Sequence, residues 1–243
     1  MIGFSFVPAN AVASGVFVEQ KNVRLSFGSL LIPQKIALLG QYNSDKTPVD
    51  YVPRLLTSAD DAASLYGNGS MLHLMAIKAF AGHGTVPIYA FPLPDAYLSV
   101  AAAGSITVAN AATAAGTISL YIAGQKLSIP VANGTAHTAV ATAIGAAINA
   151  KVSLPVTATV VGATVNLTSK WKGLSANGIT IEVDLGTGED ELEPTGTTLT
   201  IVDMASGDVD PSIEDALAEF GDTWYTFVAM PYADNTNLDL LEA

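Results

Sequence analysis

Two near-continuous apolar runs, Ile36-Ala37-Leu38-Leu39 and Val86-Pro87-Ile88-Tyr89-Ala90-Phe91, bracket a stretch in which apolar residues recur at helical spacing. Uninterrupted runs of this kind suit strands covered on both faces, so strands over 35–40 and 86–92 are expected within a sheet that carries helices. The intervening pattern predicts helices over 58–66 and 70–81. Thr57 or Ser58 can cap the first, with Asp60 and Asp61 at the positive end of its dipole. Gly67 supplies a stop, Asn68 or Ser70 can cap the second helix, and Met71, Leu72, Met75, Ala76, Ala79 and Phe80 form its apolar face. The unit reads as strand, crossover helices, strand, with the right-handed connection that such units almost always take.

From Pro94 the period changes. Short β-prone runs separated by small-residue turns predict strands over 104–108, 116–122, 125–131, 156–161, 163–169, 180–185 and 197–202. Ala123-Gly124 and Gly162 mark hairpin turns, where glycine tolerates the positive φ that tight turns demand. One helix interrupts the strands: Thr135 or Thr138 can cap it, Val140, Ile144, Ala147 and Ile148 make its stripe, and it stops before Lys151. After Gly207 helical spacing returns over 211–220, with Ser212 as cap and Gly221 as stop. A buried strand over 223–230 then leads to a helix capped within Asn235-Thr236-Asn237.

The first thirty residues differ again. Phe4, Phe6 and Val7 precede Pro8, a small-residue run follows, and Val16-Phe17-Val18 resumes strand character. Two readings stand: a first strand against its own domain, or an arm adding a strand to a neighbouring subunit's sheet through Phe4, Phe6, Val16, Phe17 and Val18. The fold class expected is an α/β body, a partial layered sheet with helices, carrying an inserted β-rich α+β domain and preceded by an extended N-terminal arm. The corresponding domains are the arm (1–30), a first stretch of the α/β body (31–95), the insertion (96–207) and a second, truncated stretch of the body (208–243).

Composition narrows the chemistry. Only 13 % of the 243 residues are charged while 50 % are apolar, a low charge density for a free monomer, so surfaces covered by a partner are expected. A net charge of −12 with ten scattered Lys and Arg argues against nucleic acid. No cysteine exists to form a disulfide or thiolate site. The start lacks the basic and apolar regions of a signal peptide, and the Ala/Thr-rich helix over 136–150 is too short to span a bilayer, so a soluble, cytoplasmic origin without membrane contact is the default.

Candidate sites are weak. The run Gly40 to Thr47 has the spacing of a phosphate loop, but Asp45 replaces the glycine before Lys46, and Pro48 and Pro53 follow where that motif requires a helix. Carboxylates at Asp184, Glu189, Asp190, Glu191 and Glu193 lack the order of a calcium loop and read as a solvated turn. Lys170-Trp171-Lys172 is too small a platform for nucleic acid, and Trp171 is expected to pack under a loop or at an interface. His73, His83 and His137 have no ligand-spaced partners. No enzyme, cofactor or metal follows from these residues.

The order of segments resembles the Mu-type contractile phage tail sheath family, in its N-terminal portion. The resemblance rests on Lys35-Ile-Ala-Leu-Leu-Gly-Gln41, Leu65-Tyr-Gly-Asn-Gly-Ser-Met-Leu-His73, Val86-Pro-Ile-Tyr-Ala-Phe-Pro-Leu93, Gly116-Thr-Ile-Ser-Leu-Tyr-Ile-Ala-Gly-Gln125, Gly221-Asp-Thr-Trp-Tyr225 and Pro231-Tyr232. It implies a structural subunit in the virion tail sheath, assembled in the bacterial host cytoplasm, that polymerises around an inner tube and contracts to drive it through the host envelope. Its partners would be copies of itself and the tail tube and baseplate proteins. The family body continues past Ala243, so the resemblance implies a chain cut short there. The alternative is a nucleotide- or small-molecule-binding α/β enzyme with a β-rich lid.

Overall fold

The computed structural model describes residues 34–82, 86–183 and 194–242. Its first strand, β1 (Ile36–Gln41), is buried along its whole length, as its uninterrupted apolar run requires. A short strand β2 (Arg54–Leu56) follows, then helices α1 (Ala59–Tyr66) and α2 (Met71–Gly82) and strand β3 (Ile88–Leu93). The Ser58 hydroxyl caps α1 by accepting from Asp61 N–H at 3.0 Å. Gly67 ends the helix at φ 94°, and Ser70 accepts from His73 N–H ahead of α2. The second strand starts two residues later than expected because Pro87 has no N–H to give; its carbonyl accepts from Ile36 N–H instead.

Next come β4 (Ala101–Ala109), β5 (Gly116–Ile122), β6 (Gln125–Val131), α3 (His137–Ala150), β7 (Val156–Val161) and β8 (Thr164–Lys172). A 3₁₀ turn over Leu174–Gly178 precedes β9 (Ile181–Val183) and β10 (Thr198–Ala205). These strands make two antiparallel sheets, one in the order β10-β4-β8-β7 and the other β6-β5-β9. The helix packs against β4, β6, β7 and β8, burying Val140, Ala141, Ile144, Gly145 and Ile148. Neither Thr135 nor Thr138 caps it. Ala136 occupies the cap without a side-chain bond, and the Thr135 hydroxyl donates to the Ala132 carbonyl in the preceding turn. A local turn has outcompeted the helix for that hydroxyl.

The chain then returns through α4 (Glu214–Ala218), β11 (Phe227–Ala229) and α5 (Asn235–Glu242). β11 pairs in parallel with β1, with Ile36 opposite Phe227, and β1 pairs in parallel with β3, with Ile36 opposite Ile88. The sheet order is β11-β1-β3-β2, with β2 antiparallel. The expected buried strand over 223–230 is therefore shorter than its apolar run. It lies at the edge of the sheet among the described residues, and its Phe227 is 58 % exposed. Asp234, one residue before the expected cap, starts α5 by accepting from Asn237 N–H at 2.9 Å.

Side-chain alternation divides the first sheet's two faces. Ile36, Leu38, Ile88 and Ala90 pack with Tyr66, Leu72 and Ala76 of α1 and α2. Ala37, Leu39, Phe91 and Leu93 belong to a second cluster that continues without a break into Ile106, Leu120, Ile144 and Leu167 of the β-rich segment. That segment is thus fastened by shared core as well as by its two connecting loops. Mixed α/β architecture, with three sheets and five α-helices among the described residues, is the outcome.

Candidate interaction surface

No group of three or more His, Cys, Asp or Glu side chains capable of holding a metal occurs among the described residues, nor does a helix long and apolar enough to cross a membrane. The Gly40 to Thr47 run lacks the helix N-terminus that would face a phosphate. After β1 the chain turns, with Asn43 N–H donating to the Tyr66 carbonyl and Tyr42 Oη–H to Asp50. The first helix begins only at Ala59. Trp171 is 6 % exposed and lies in the core, so it offers no stacking surface. His137 opens α3, whereas His83, the carboxylates over 184–193 and the arm residues Phe4, Phe6, Val16, Phe17 and Val18 lie outside the described residues.

What the fold does bring together is a polar joint between the first sheet and the β-rich segment. Gln41, fully buried at the end of β1, donates from Nε2 to Asp95 Oδ1 at 2.8 Å and to the Lys172 carbonyl at 2.7 Å. Asp95 Oδ1 also accepts from Lys172 N–H. Tyr232, beyond β11, donates its hydroxyl to Gln41 Oε1 at 3.4 Å. Burial pushes the Tyr232 hydroxyl pKa well above its ordinary value, assisted by Asp210 and Asp95, so it stays a donor. A second contact lies at the corner between α1 and α2, where Lys170 Nζ donates to the carbonyls of Asn68 and Val152.

Elsewhere the second connecting loop is tied down. The Asn177 side chain exchanges two hydrogen bonds with the Gly207 backbone, and Asp210 Oδ1 accepts from both the N–H and the hydroxyl of Ser175. Gln41 and Tyr232 lie 191 residues apart in sequence. A polar residue closing an apolar run is the signal that could have singled out Gln41, but no local pattern could name Asp95, Lys172 and Tyr232 as its partners.

Exposed apolar side chains mark the two edges of the first sheet. At one edge Phe227 and the nearby Trp224, 71 % exposed, flank a packed aromatic group in which Tyr225 meets Phe91 at 5.5 Å and Phe220 at 4.7 Å between ring centroids. Only the β1 side of β11 is paired among the described residues, so its other side presents backbone donors and acceptors to an incoming strand. At the opposite edge, exposed Val49, Val52 and Leu55 border a groove of about 740 Å³ that also contains Arg54 and Tyr66. Open sheet edges can in general accept an extended segment through main-chain pairing.

No protein-family model matches the chain. Over 243 residues it is 31 % identical to the Mu-like prophage FluMu tail sheath protein of Haemophilus influenzae, an alignment covering 100 % of this chain and 49 % of that protein. The chain spans about half the length of the curated relative it matches. Among solved structures, the crystal structure of a sheath tail protein from Listeria innocua aligns with a TM-score of 0.29 at 11 % identity, covering 86 % of this chain and 42 % of the other. Through the whole-chain sequence match, this chain is a homologue of a Mu-like prophage tail sheath protein, the relationship to which the order of its segments pointed.

Proposed function

We propose that this chain forms a portion of a contractile tail sheath subunit, which polymerises around an inner tube and shortens to drive that tube through a host envelope. The observation that carries this reading is the identity of 31 % sustained across all 243 residues with a tail sheath protein. The low charge density and the two apolar sheet edges suit a building block whose work is contact with copies of itself. In this reading its further partners are the tube and baseplate proteins, its place is the virion tail, it assembles in the host cytoplasm, and it performs no catalysis.

The finer organisation follows from the same reading. Residues 1–30 act as an arm, with Phe4, Phe6, Val16, Phe17 and Val18 gripping a neighbouring subunit. The body is formed by 31–95 and 208–243, and 96–207 is an inserted domain. Free energy is stored in subunit contacts: the extended lattice is metastable, and contraction carries each subunit to contacts of lower free energy. The joint at Gln41 favours body and insertion moving as one piece. Electron microscopy of the protein expressed from its uninterrupted reading frame tests the proposal. Striated tubes are expected, and dispersed particles at every protein concentration would overturn it.

A further inference from the structure

We infer that the corner formed by residues 67–73, between α1 and α2, is an acid-sensitive clasp that holds the β-rich segment against the first sheet, with the neutral imidazole of His73 as its trigger. The inference stands on contacts within this chain and does not require that the chain polymerise.

The corner is seated on the segment at backbone distance. Gly69 has φ +72°, and a Cβ there would collide with the Leu154 carbonyl oxygen and lie 2.7 Å from Lys170 Nζ and 2.9 Å from the Val152 carbonyl oxygen. Lys170 bridges corner and segment, donating to Asn68 O at 2.9 Å and Val152 O at 2.8 Å. Asn68 O also accepts from Asn43 Nδ2 at 3.0 Å. The corner keeps this shape through His73, which is 5 % exposed. Its Nδ1 accepts from Gly69 N–H at 2.9 Å, while its own backbone N–H donates to Ser70 Oγ at 3.2 Å.

An imidazole nitrogen can accept a hydrogen bond only while it carries no proton. Protonation at Nδ1 would set two N–H donors against each other and create a buried cation beside the corner that Lys170 grips. Three influences act on that proton. Burial disfavours it most, the Asp60 carboxylate of α1 favours it, and the Lys170 ammonium of β8 disfavours it. Asp45, in the loop after β1, acts in turn on Lys170, whose own pKa burial lowers. The closed corner therefore holds His73 below its ordinary value of 6.5. An opened corner would let it return toward that value, so acidification below about pH 6.5 favours opening. Above that pH neither state carries the proton and the clasp is at full strength.

The test compares the whole 243-residue chain with His73→Asn, whose Oδ1 can accept the Gly69 N–H without titrating. Two readouts are followed from about pH 7.5 to about pH 5, the range in which an imidazole titrates: exchange of the Gly69 amide, corrected for intrinsic rate, and protease cleavage in the connecting loops at 94–98 and 206–211. In the native chain both are expected to rise as pH falls, by about tenfold for each pH unit over which only the open form holds the proton. In His73→Asn both should stay flat, His83 and His137 being retained as internal controls. Equal loosening of the two proteins would overturn the proposal, as would a Gly69 response with no rise in connector cleavage. Should His73→Asn fail to fold, nitrogen NMR of the native chain decides: His73 titrating together with Gly69 exchange supports the clasp, and titration with exchange unmoved rejects it.

Discussion

Glycine at 69 and glycine at 124 have nearly the same backbone, φ +72° and +71°, but different surroundings. At Gly124, in the β5–β6 turn, an added Cβ meets nothing within 4 Å; at Gly69 it meets the backbone of the β-rich segment. Gly124→Ala should therefore cost only the left-handed penalty, about 1–2 kcal/mol. Gly69→Ala should cost at least about 1 kcal/mol more because it also separates two packed surfaces, in the range of buried steric misfits. Urea denaturation of both variants reads the difference, and equal losses would refute the close seating. Gly124 stands out in the sequence as a turn residue and Gly69 does not, because the neighbours that crowd it, Val152, Leu154 and Lys170, come from far downstream.

Elements whose stability is set locally were the ones that pattern alone could delimit. β5, β6 and β7 occupy the spans expected of them, because alternation and small-residue turns define a hairpin without outside help. Helix α1 is similar, since its cap is a neighbour in sequence; Ser58→Ala should lower stability by about 1 kcal/mol, measurable as a lower urea midpoint. The edge strands follow other rules. β2 has three residues beginning at Arg54 after Pro53, and exists because β3 offers Ile88–Ala90 to pair with. β11 is held by β1 for three residues, although its apolar run is longer. Because Phe227 and Trp224 are exposed, Phe227→Lys combined with Trp224→Ser should leave the melting temperature almost unchanged. The same pair should reduce self-association in sedimentation measurements, if this edge is where copies meet.

At the scale of the whole molecule, the core that runs from Leu39 and Phe91 into Ile106 and Ile144 joins what the sequence divides into two regions of different period. A cluster continuous in this way favours a single unfolding transition. Removal of residues 1–22 should leave that transition and the far-ultraviolet circular dichroism intact while abolishing regular sheath formation in a polymerising protein; unaltered sheaths would contradict the arm assignment. Both the first sheet and the β-rich segment were legible as separate patterns. Their joint was not, because Gln41, Asp95, Lys172 and Tyr232 are ordinary residues until the chain path brings them within hydrogen-bonding reach.

The sequence by itself determined the order of strands and helices apart from β2, the change from helical to alternating period near Pro94, and the tail sheath likeness. Each of those follows from neighbours in the chain or from segment order. Only the tertiary structure decided which strands are edges among the described residues, which glycine is crowded by distant backbone, and which buried polar groups meet. These depend on pairing and desolvation between residues far apart in sequence, where no local periodicity records the partner.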